Sequence, residues 1–313
     1  MCARLSTAKP GGRNASVSVA GMAQLHPLGA AGPLIVTCAL TGGIHGKEAN
    51  ANLPEQPDEI VAQGVAAWAA GAAILHVHAR APDGSSTMDT AIYAELHERL
   101  RASTDAIVQL TTGGSPRLTV EERLNTVLLA PEMCSLNMGL MNFFIRGEQV
   151  FFANHRDDIE RFAREIAAHG VKPELEVYSS AMLEEVEQLL DSGLLQPPYV
   201  INLVLHTPTQ GGQRGTLENL VDLLRRVRDL PVDPADLRVN VSAMGPTQRG
   251  LLAVAAAAGL NVRTGLEDNV MTARGRLAAS NAELVKQTVG MLRALGREPA
   301  TAAQARDRLG LSV

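Results

Sequence analysis

The chain has 313 residues, 46% of them hydrophobic, with 28 basic against 33 acidic side chains and a formal net charge of −5. That is enough apolar material for one large core or two small ones. The scattered Lys and Arg leave no electrostatic footprint for nucleic acid, and no apolar run approaches the length of a membrane span.

Residues 1–32 are rich in Gly, Ala and Ser, without periodicity. They lack an apolar stretch behind a basic start, so no secretory signal is expected. They read as an N-terminal arm, either disordered or passed to a neighbouring subunit, with Met22 as an alternative start. Residues 33–313 read as one catalytic domain. The predicted order is strand Leu34–Leu40, helix Pro57–Ala70, strand Ala72–His78, helix Thr90–Ala102, strand Ala106–Thr111, helix Thr119–Leu129, strand Met133–Leu136 and helix His155–His169. It continues with strand Lys172–Val177, helix Ala181–Ser192, strand Tyr199–Leu205, helix Leu217–Asp229, strand Arg238–Val241, helix Thr247–Ala258, strand Asn261–Thr264 and helix Ser280–Leu295. Thr119 ahead of Glu122 and Ser280 ahead of Glu283 mark helix starts. Gly71, Gly170, Gly193 and Gly259 stand where helices should stop. Eight strand-then-helix units predict a parallel sheet with right-handed crossovers, closed as a single-domain (β/α)8 barrel. No Gly-x-Gly-x-x-Gly follows the first strand, so a dinucleotide fold has no support. Cys2, Cys38 and Cys134 show no metal-ligand spacing; such a sparse, odd count suits a reducing cytoplasm, and Cys38 and Cys134 read as core residues.

Active sites of such barrels lie at the C-terminal strand ends, and polar residues concentrate there. His76 and His78 are two apart on the second strand, so both imidazoles share one face and make a ready metal pair. A third ligand is needed; Glu267, just past the eighth strand, is the best candidate and His206 its competitor. Arg263 and Asp268 can form a dyad in which the guanidinium keeps the carboxylate ionised, or Arg263 can grip a substrate carboxylate. Thr111-Thr112-Gly113-Gly114 closes the third strand with hydroxyls and amides suited to an oxyanion. Asn137 and Gly139 follow the fourth. Glu174 and Glu176 share one face of the fifth, either lumenal and functional or turned to basic helix residues. Arg80 is either structural or an anion holder, Pro82-Asp83-Gly84 a turn, and Gln210-Gly211-Gly212-Gln213 a flexible loop, over the site or plain surface.

His76-Val77-His78 within Gly71–Arg80 resembles the β-keto acid cleavage enzymes when taken with Thr112-Gly113-Gly114, Pro131–Leu136, Arg263-Thr264-Gly265-Leu266-Glu267-Asp268-Asn269 and Ser280–Val285. The likeness runs from about Leu34 to the end. It implies a zinc-dependent (β/α)8 barrel in which a β-keto acid and acetyl-CoA, the co-substrate, give acetoacetate and a new acyl-CoA. Carried over by motif, His76, His78 and Glu267 are the expected Zn2+ ligands and Arg263 and Asp268 the catalytic dyad. Thr111, Thr112, Gly113, Asn137, Glu174 and His45 are the expected substrate-binding residues. The resemblance also implies a homo-oligomer, often a tetramer. One departure matters: the family's amino-substrate member has a glutamate near the end of the first strand, where this chain has Ile44-His45, so a neutral or different β-substituent is expected. The rival readings are a zinc amidohydrolase-type hydrolase and a zinc retro-aldolase. Amidohydrolases place His-x-His on the first strand, whereas here it ends the second.

Overall fold

The computed structural model describes residues 28–145, 147–207 and 209–311. The elements are β1 Val36–Ala39, α1 Pro57–Ala69, β2 Ile74–Val77, α2 Thr90–Ser103, β3 Ile107–Leu110, α3 Val120–Leu128, β4 Met133–Asn137 and α4 Arg156–Ala168. They continue with β5 Lys172–Val177, α5 Leu183–Asp191, β6 Tyr199–Leu205, α6 Leu217–Arg228, β7 Leu237–Ala243, α7 Gln248–Ala257, β8 Asn261–Thr264 and α8 Asn281–Ala294. The eight strands form a closed parallel barrel in sequence order, sealed by β8 on β1 through Val36↔Val262, Thr37↔Arg263 and Cys38↔Thr264. The expected fold is the observed one.

The strands alternate in chemistry. Leu75 and Val77, Val108 and Leu110, Leu175 and Val177, and Val239 and Val241 are buried in one apolar cluster with helix residues such as Ile60, Leu96 and Phe162. Each such side chain contributes roughly 1.5–3 kcal/mol on leaving water. The intervening positions are polar and also buried. Asn240 on β7 donates to Glu174 on β5 at 3.1 Å, past the intervening β6, which requires a bond through the lumen. Both members of the Glu174 and Glu176 pair therefore face inward.

Local signals behave as their chemistry dictates. Thr119 and Glu122 form the expected capping box on α3, Ser280 accepts from Glu283 N on α8, and Pro57 occupies the first turn of α1. Cys38 and Cys134 are buried free thiols, while Cys2 lies outside the described residues. Residues 1–27 of the expected arm also lie outside them; of the remainder, Ala30 donates its N–H to Gly259 O at 2.9 Å. No helix among the described residues is long and apolar enough to cross a membrane.

Several elements had no counterpart in the predicted order. Helix α9, Ala302–Leu309, places Ala305 and Leu309 against Ile35, Ile74, Ile107 and Met133, closing the N-terminal end of the barrel. After β4, Met141–Ile145 and Glu148–Phe152 pair antiparallel, and Thr209–Gln210 joins as a third strand through Thr209↔Phe143 and Gln210↔Asn142. The segment expected as a flexible loop thus begins in a small sheet. A second hairpin, Met271–Ala273 with Arg276–Leu277, follows β8.

Candidate active site

The site grows from the closure of the ring. β8 lies beside β1 and β1 beside β2, in the register Ala39↔His76. Past β8 the chain turns sharply at Gly265, whose φ is +138°. A Cβ there would stand 2.1 Å from the Ala39 carbonyl oxygen, so only glycine permits this close approach. The turn lets Glu267 N donate to Ala39 O at 3.3 Å and brings the Glu267 carboxylate over to β2. There its oxygens lie 3.7 Å from His76 Nε2 and 3.5 Å from His78 Nε2. The candidate ligand atoms of these three residues lie within 4.8 Å of one another.

The donor set suits a divalent cation. His76 Nδ1 lies 2.7 Å from Gln109 Oε1 on β3; the amide oxygen is an acceptor, so Nδ1 carries the proton and Nε2 keeps its lone pair for a ligand. Burial, and then Arg263, push the His76 ring down to about 3, leaving it neutral. His78 Nδ1 and Glu267 Oε2 are buried without a hydrogen-bond partner, an arrangement that costs stability unless a ligand completes it.

Beside this triplet, Arg263 Nε and Nη2 grip Asp268 at 3.0 and 2.9 Å. The same guanidinium meets Glu176 at 3.1 Å and Glu267 at 3.0 Å. With Nε and both Nη atoms engaged, no bidentate edge remains for a substrate carboxylate, so that alternative use of Arg263 falls away. The expected pKa direction for Asp268 is also reversed. Burial outweighs Arg263, and with Glu267 it pushes the Asp268 carboxyl up to about 6. Burial likewise pushes Glu176 up to about 8, against the pull of Arg263. Glu267 goes the other way: burial opposes ionisation, but Arg263, His78 and His76 together hold it below the usual carboxylate range. Burial thus works against ionising Glu176 and Asp268 around a single guanidinium, and a cation held beside them would offset that cost.

His76, His78, Glu176, Glu267 and Asp268 line a cavity of about 900 Å3, with Arg263 behind them. Thr111, Gly113, Asn137 and His45 line it as well. Thr112 and Glu174 do not. Thr112 is fully buried, its hydroxyl donating to Ser135 O at 2.7 Å. Glu174 sits one lumenal layer lower, accepting from Asn240, while Glu176, one layer up the same strand, reaches the cavity. His206 lines the cavity outside the three-residue cluster and has a left-handed backbone, φ +62°. Arg80 donates to the carbonyls of Gly42, His45 and Gly84, which gives it a structural task in the β1 loop.

Sequence reasoning missed the apolar wall. Met141, Phe143 and Phe152 of the β4 hairpin line the cavity together with Pro116. Behind them Arg123, 1% exposed, donates to Thr112 O at 2.7 Å and to Asn154 Oδ1 at 2.6 Å. Its guanidinium carbon lies 4.5 Å from the Phe152 ring centroid, fixing wall and β3 loop together. The two Phe-Phe pairs, Phe143-Phe144 and Phe151-Phe152, on either side of Gly147 were the available signal.

Fold and site together define a (β/α)8 enzyme whose ionisable groups gather at the C-terminal strand ends. Residues 33–311 match the model of the beta-keto acid cleavage enzyme family, and the chain belongs to that family. It is 38% identical to the 3-keto-5-aminohexanoate cleavage enzyme of Acetoanaerobium sticklandii over 280 residues, covering 89% of this chain and 98% of the relative. It is 35% identical to the 3,5-dioxohexanoate:acetyl-CoA acetone transferase of Paraburkholderia graminis, covering 89% and 96%. Among solved structures, the apo structure of ObcA superposes with a TM-score of 0.71 at 21% identity, covering 84% of this chain and 66% of that one, a likeness of fold. The membership favours carbon–carbon cleavage of a β-keto acid over the hydrolase and retro-aldolase readings.

Proposed function

We propose that this chain is a zinc-dependent β-keto acid cleavage enzyme that converts a β-keto acid and acetyl-CoA into acetoacetate and a new acyl-CoA. The observation that carries it is the Arg263–Asp268 ion pair, at 2.9 and 3.0 Å, set beside the His76/His78/Glu267 cluster in one cavity. A relative whose name carries acetyl-CoA and a keto acid supports the co-substrate.

His76, His78 and Glu267 would hold Zn2+, which when bound supplies Lewis-acid polarisation of the keto oxygen. Asp268, aligned by Arg263, takes the proton between the keto and carboxylate groups. The resulting carbanion attacks the acetyl thioester carbon, forming a carbon–carbon bond and expelling the CoA thiolate. The thiolate then attacks the original keto carbon and the adjoining carbon–carbon bond breaks, giving the new acyl-CoA. Asp268 returns its proton to the departing acetoacetate carbanion, so the reaction balances. Thr111, Gly113 and Asn137 face the cavity and are suited to the substrate's carboxylate and keto oxygens.

The β-substituent we infer is uncharged. Ile44 and His45 stand where the amino-substrate member carries glutamate. The carboxylates lining the cavity, Glu176, Glu267 and Asp268, all sit within ion-pair distance of Arg263, so none is free for an ammonium group. Met141, Phe143 and Phe152 offer it apolar surface instead. A cytoplasmic homo-oligomer follows from the cysteine usage and the resemblance, and light scattering on the purified protein tests the assembly.

The experiment is a panel of β-keto acids with and without acetyl-CoA, following acetoacetate. Turnover that needs the thioester and stops on chelation supports the reading. Product formation without acetyl-CoA would indicate a hydrolase or an aldolase. Faster turnover of 3-keto-5-aminohexanoate than of uncharged β-keto acids would remove the inferred specificity.

A further inference from the structure

The two sides of the cavity differ in charge. β4 and β8 face each other across the eight-stranded ring. The apolar wall of Met141, Phe143 and Phe152 follows β4. On the opposite side, after β7 and β8, the cavity is lined by Arg249 and Arg274. Arg249 stands in the first turn of α7, and Arg274 at the tip of the hairpin that follows β8.

Neither arginine is in an ion pair among the described residues, although Arg276, two residues beyond Arg274, pairs with Glu283. The nearest polar partner of Arg249 is neutral: its Nη2 donates to Gln287 Oε1 at 3.3 Å. The sequence around them is free of acid. From Met244 to Ala258 and from Asn269 to Leu277 there is no Asp or Glu, in a chain whose net charge is −5. Gly245, also lining the cavity, has φ +59° and open space where a Cβ would stand, so a bulky group can approach the backbone there. The loops after strands seven and eight are where (β/α)8 barrels commonly seat phosphate.

The geometry points to Arg249 and Arg274 as the grip for the phosphates of coenzyme A, with the pantetheine arm running from the β7–β8 rim to Asp268 and the keto acid chain lying on the β4 side. This assignment rests on the proposed use of acetyl-CoA. Both substrates are anions and the protein is an anion overall, so recruitment of the more highly charged one requires a local cationic surface. Guanidinium groups match phosphate bidentately. Two of them 25 residues apart in sequence, on separate loops, can take different phosphate groups of one molecule.

The test compares wild type with the Arg249→Gln/Arg274→Gln double variant and with an Arg225→Gln/Arg226→Gln control on α6. The rim variant should raise KM for acetyl-CoA by about ten-fold or more. Its KM for S-acetyl-pantetheine, which lacks the phosphates, should shift by less than about two-fold. The effect on acetyl-CoA should shrink as salt rises, and Arg249→Lys/Arg274→Lys should restore part of the affinity. An unchanged KM for acetyl-CoA in the rim variant, or an equal rise in the control, overturns the grip and leaves the proposed function standing. If wild type shows no acetyl-CoA-dependent turnover, the proposed function fails instead. The grip is then judged by calorimetry with the phosphorylated adenosine fragment of coenzyme A: binding to wild type and not to the rim variant supports it, and any other pattern overturns it.

Discussion

Replacing Asp268 with Asn separates proton transfer from metal holding. Asp268 is buried, and both its oxygens are gripped by Arg263, at 2.9 and 3.0 Å. Asn keeps the shape but cannot accept the substrate proton. A positioned general base is worth about 10²–10⁴ in rate, so Asp268→Asn should lower kcat by that factor, roughly 3–5 kcal/mol of barrier. Stability should change little, because two effects oppose each other. The amide turns an N–H toward a guanidinium N–H, a mismatch costing about 1–3 kcal/mol. Against it, the variant removes one acid from a group in which Glu176, Glu267 and Asp268 share a single guanidinium. Burial raises the Asp268 pKa to about 6, so its charged form is less stable inside the fold than in the unfolded chain, and losing that charge offsets the mismatch at neutral pH. Acetoacetate production, metal analysis and thermal melting on the same preparations read all three quantities. The reasoning fails if Asp268→Asn keeps full kcat. It also fails if the variant loses metal as Glu267→Gln should, since Asp268 would then be acting as a ligand.

Two further substitutions probe how the triplet is held. Gln109→Leu removes the acceptor 2.7 Å from His76 Nδ1, and loss of such an outer partner should weaken metal binding by about 10–100-fold; a chelator competition that finds unchanged affinity would sink the tautomer argument. Gly42→Ala would put a Cβ 2.6 Å from Glu267 Cγ, forcing that carboxylate aside. A displacement of about 1 Å can cost 100-fold in rate, so the variant should fold, melt close to wild type and lose most of its metal and activity. Full metal occupancy with full activity would show that Glu267 does not need its present position.

The barrel was legible because short apolar runs alternate eight times with helical patterns, and the helices are closed by glycine or opened by Thr and Ser. His76, His78, Arg263, Glu267 and Asp268 could be picked out because polar groups at successive strand ends have no folding purpose of their own. What the sequence did not reveal was depth. Glu174 and Glu176 share a face, and nothing local says which stands at the lumenal level that reaches the cavity; the barrel's stagger makes it Glu176. Thr111 and Thr112 differ likewise, one facing the cavity and one spent on Ser135 O. The hairpin over 141–152 escaped because its third strand, Thr209–Gln210, is more than fifty residues away, and a two-stranded hairpin is marginal without such a partner. The direction of the Asp268 shift was misjudged for a related reason. Arg263 looked like a private partner in an open site, and only the assembled lumen reveals that Asp268 is buried and that two other carboxylates share the guanidinium.

That sharing explains why the parts of the site belong together. One guanidinium cannot compensate three carboxylates, so a lumen carrying only Arg263 as cation favours protonated Glu176 at neutral pH and narrows the range in which Asp268 is ionised; these are the two acids whose pKa burial raises. A protonated Asp268 is useless as a base. A dication held by His76, His78 and Glu267 would withdraw Glu267 from the competition for Arg263 and lower the pKa of both remaining acids. On this reasoning a bound metal would do more than polarise the substrate: it would also widen the pH range in which Asp268 is ionised. The two functions of the site, holding a cation and moving a proton, are therefore coupled by charge as well as by position.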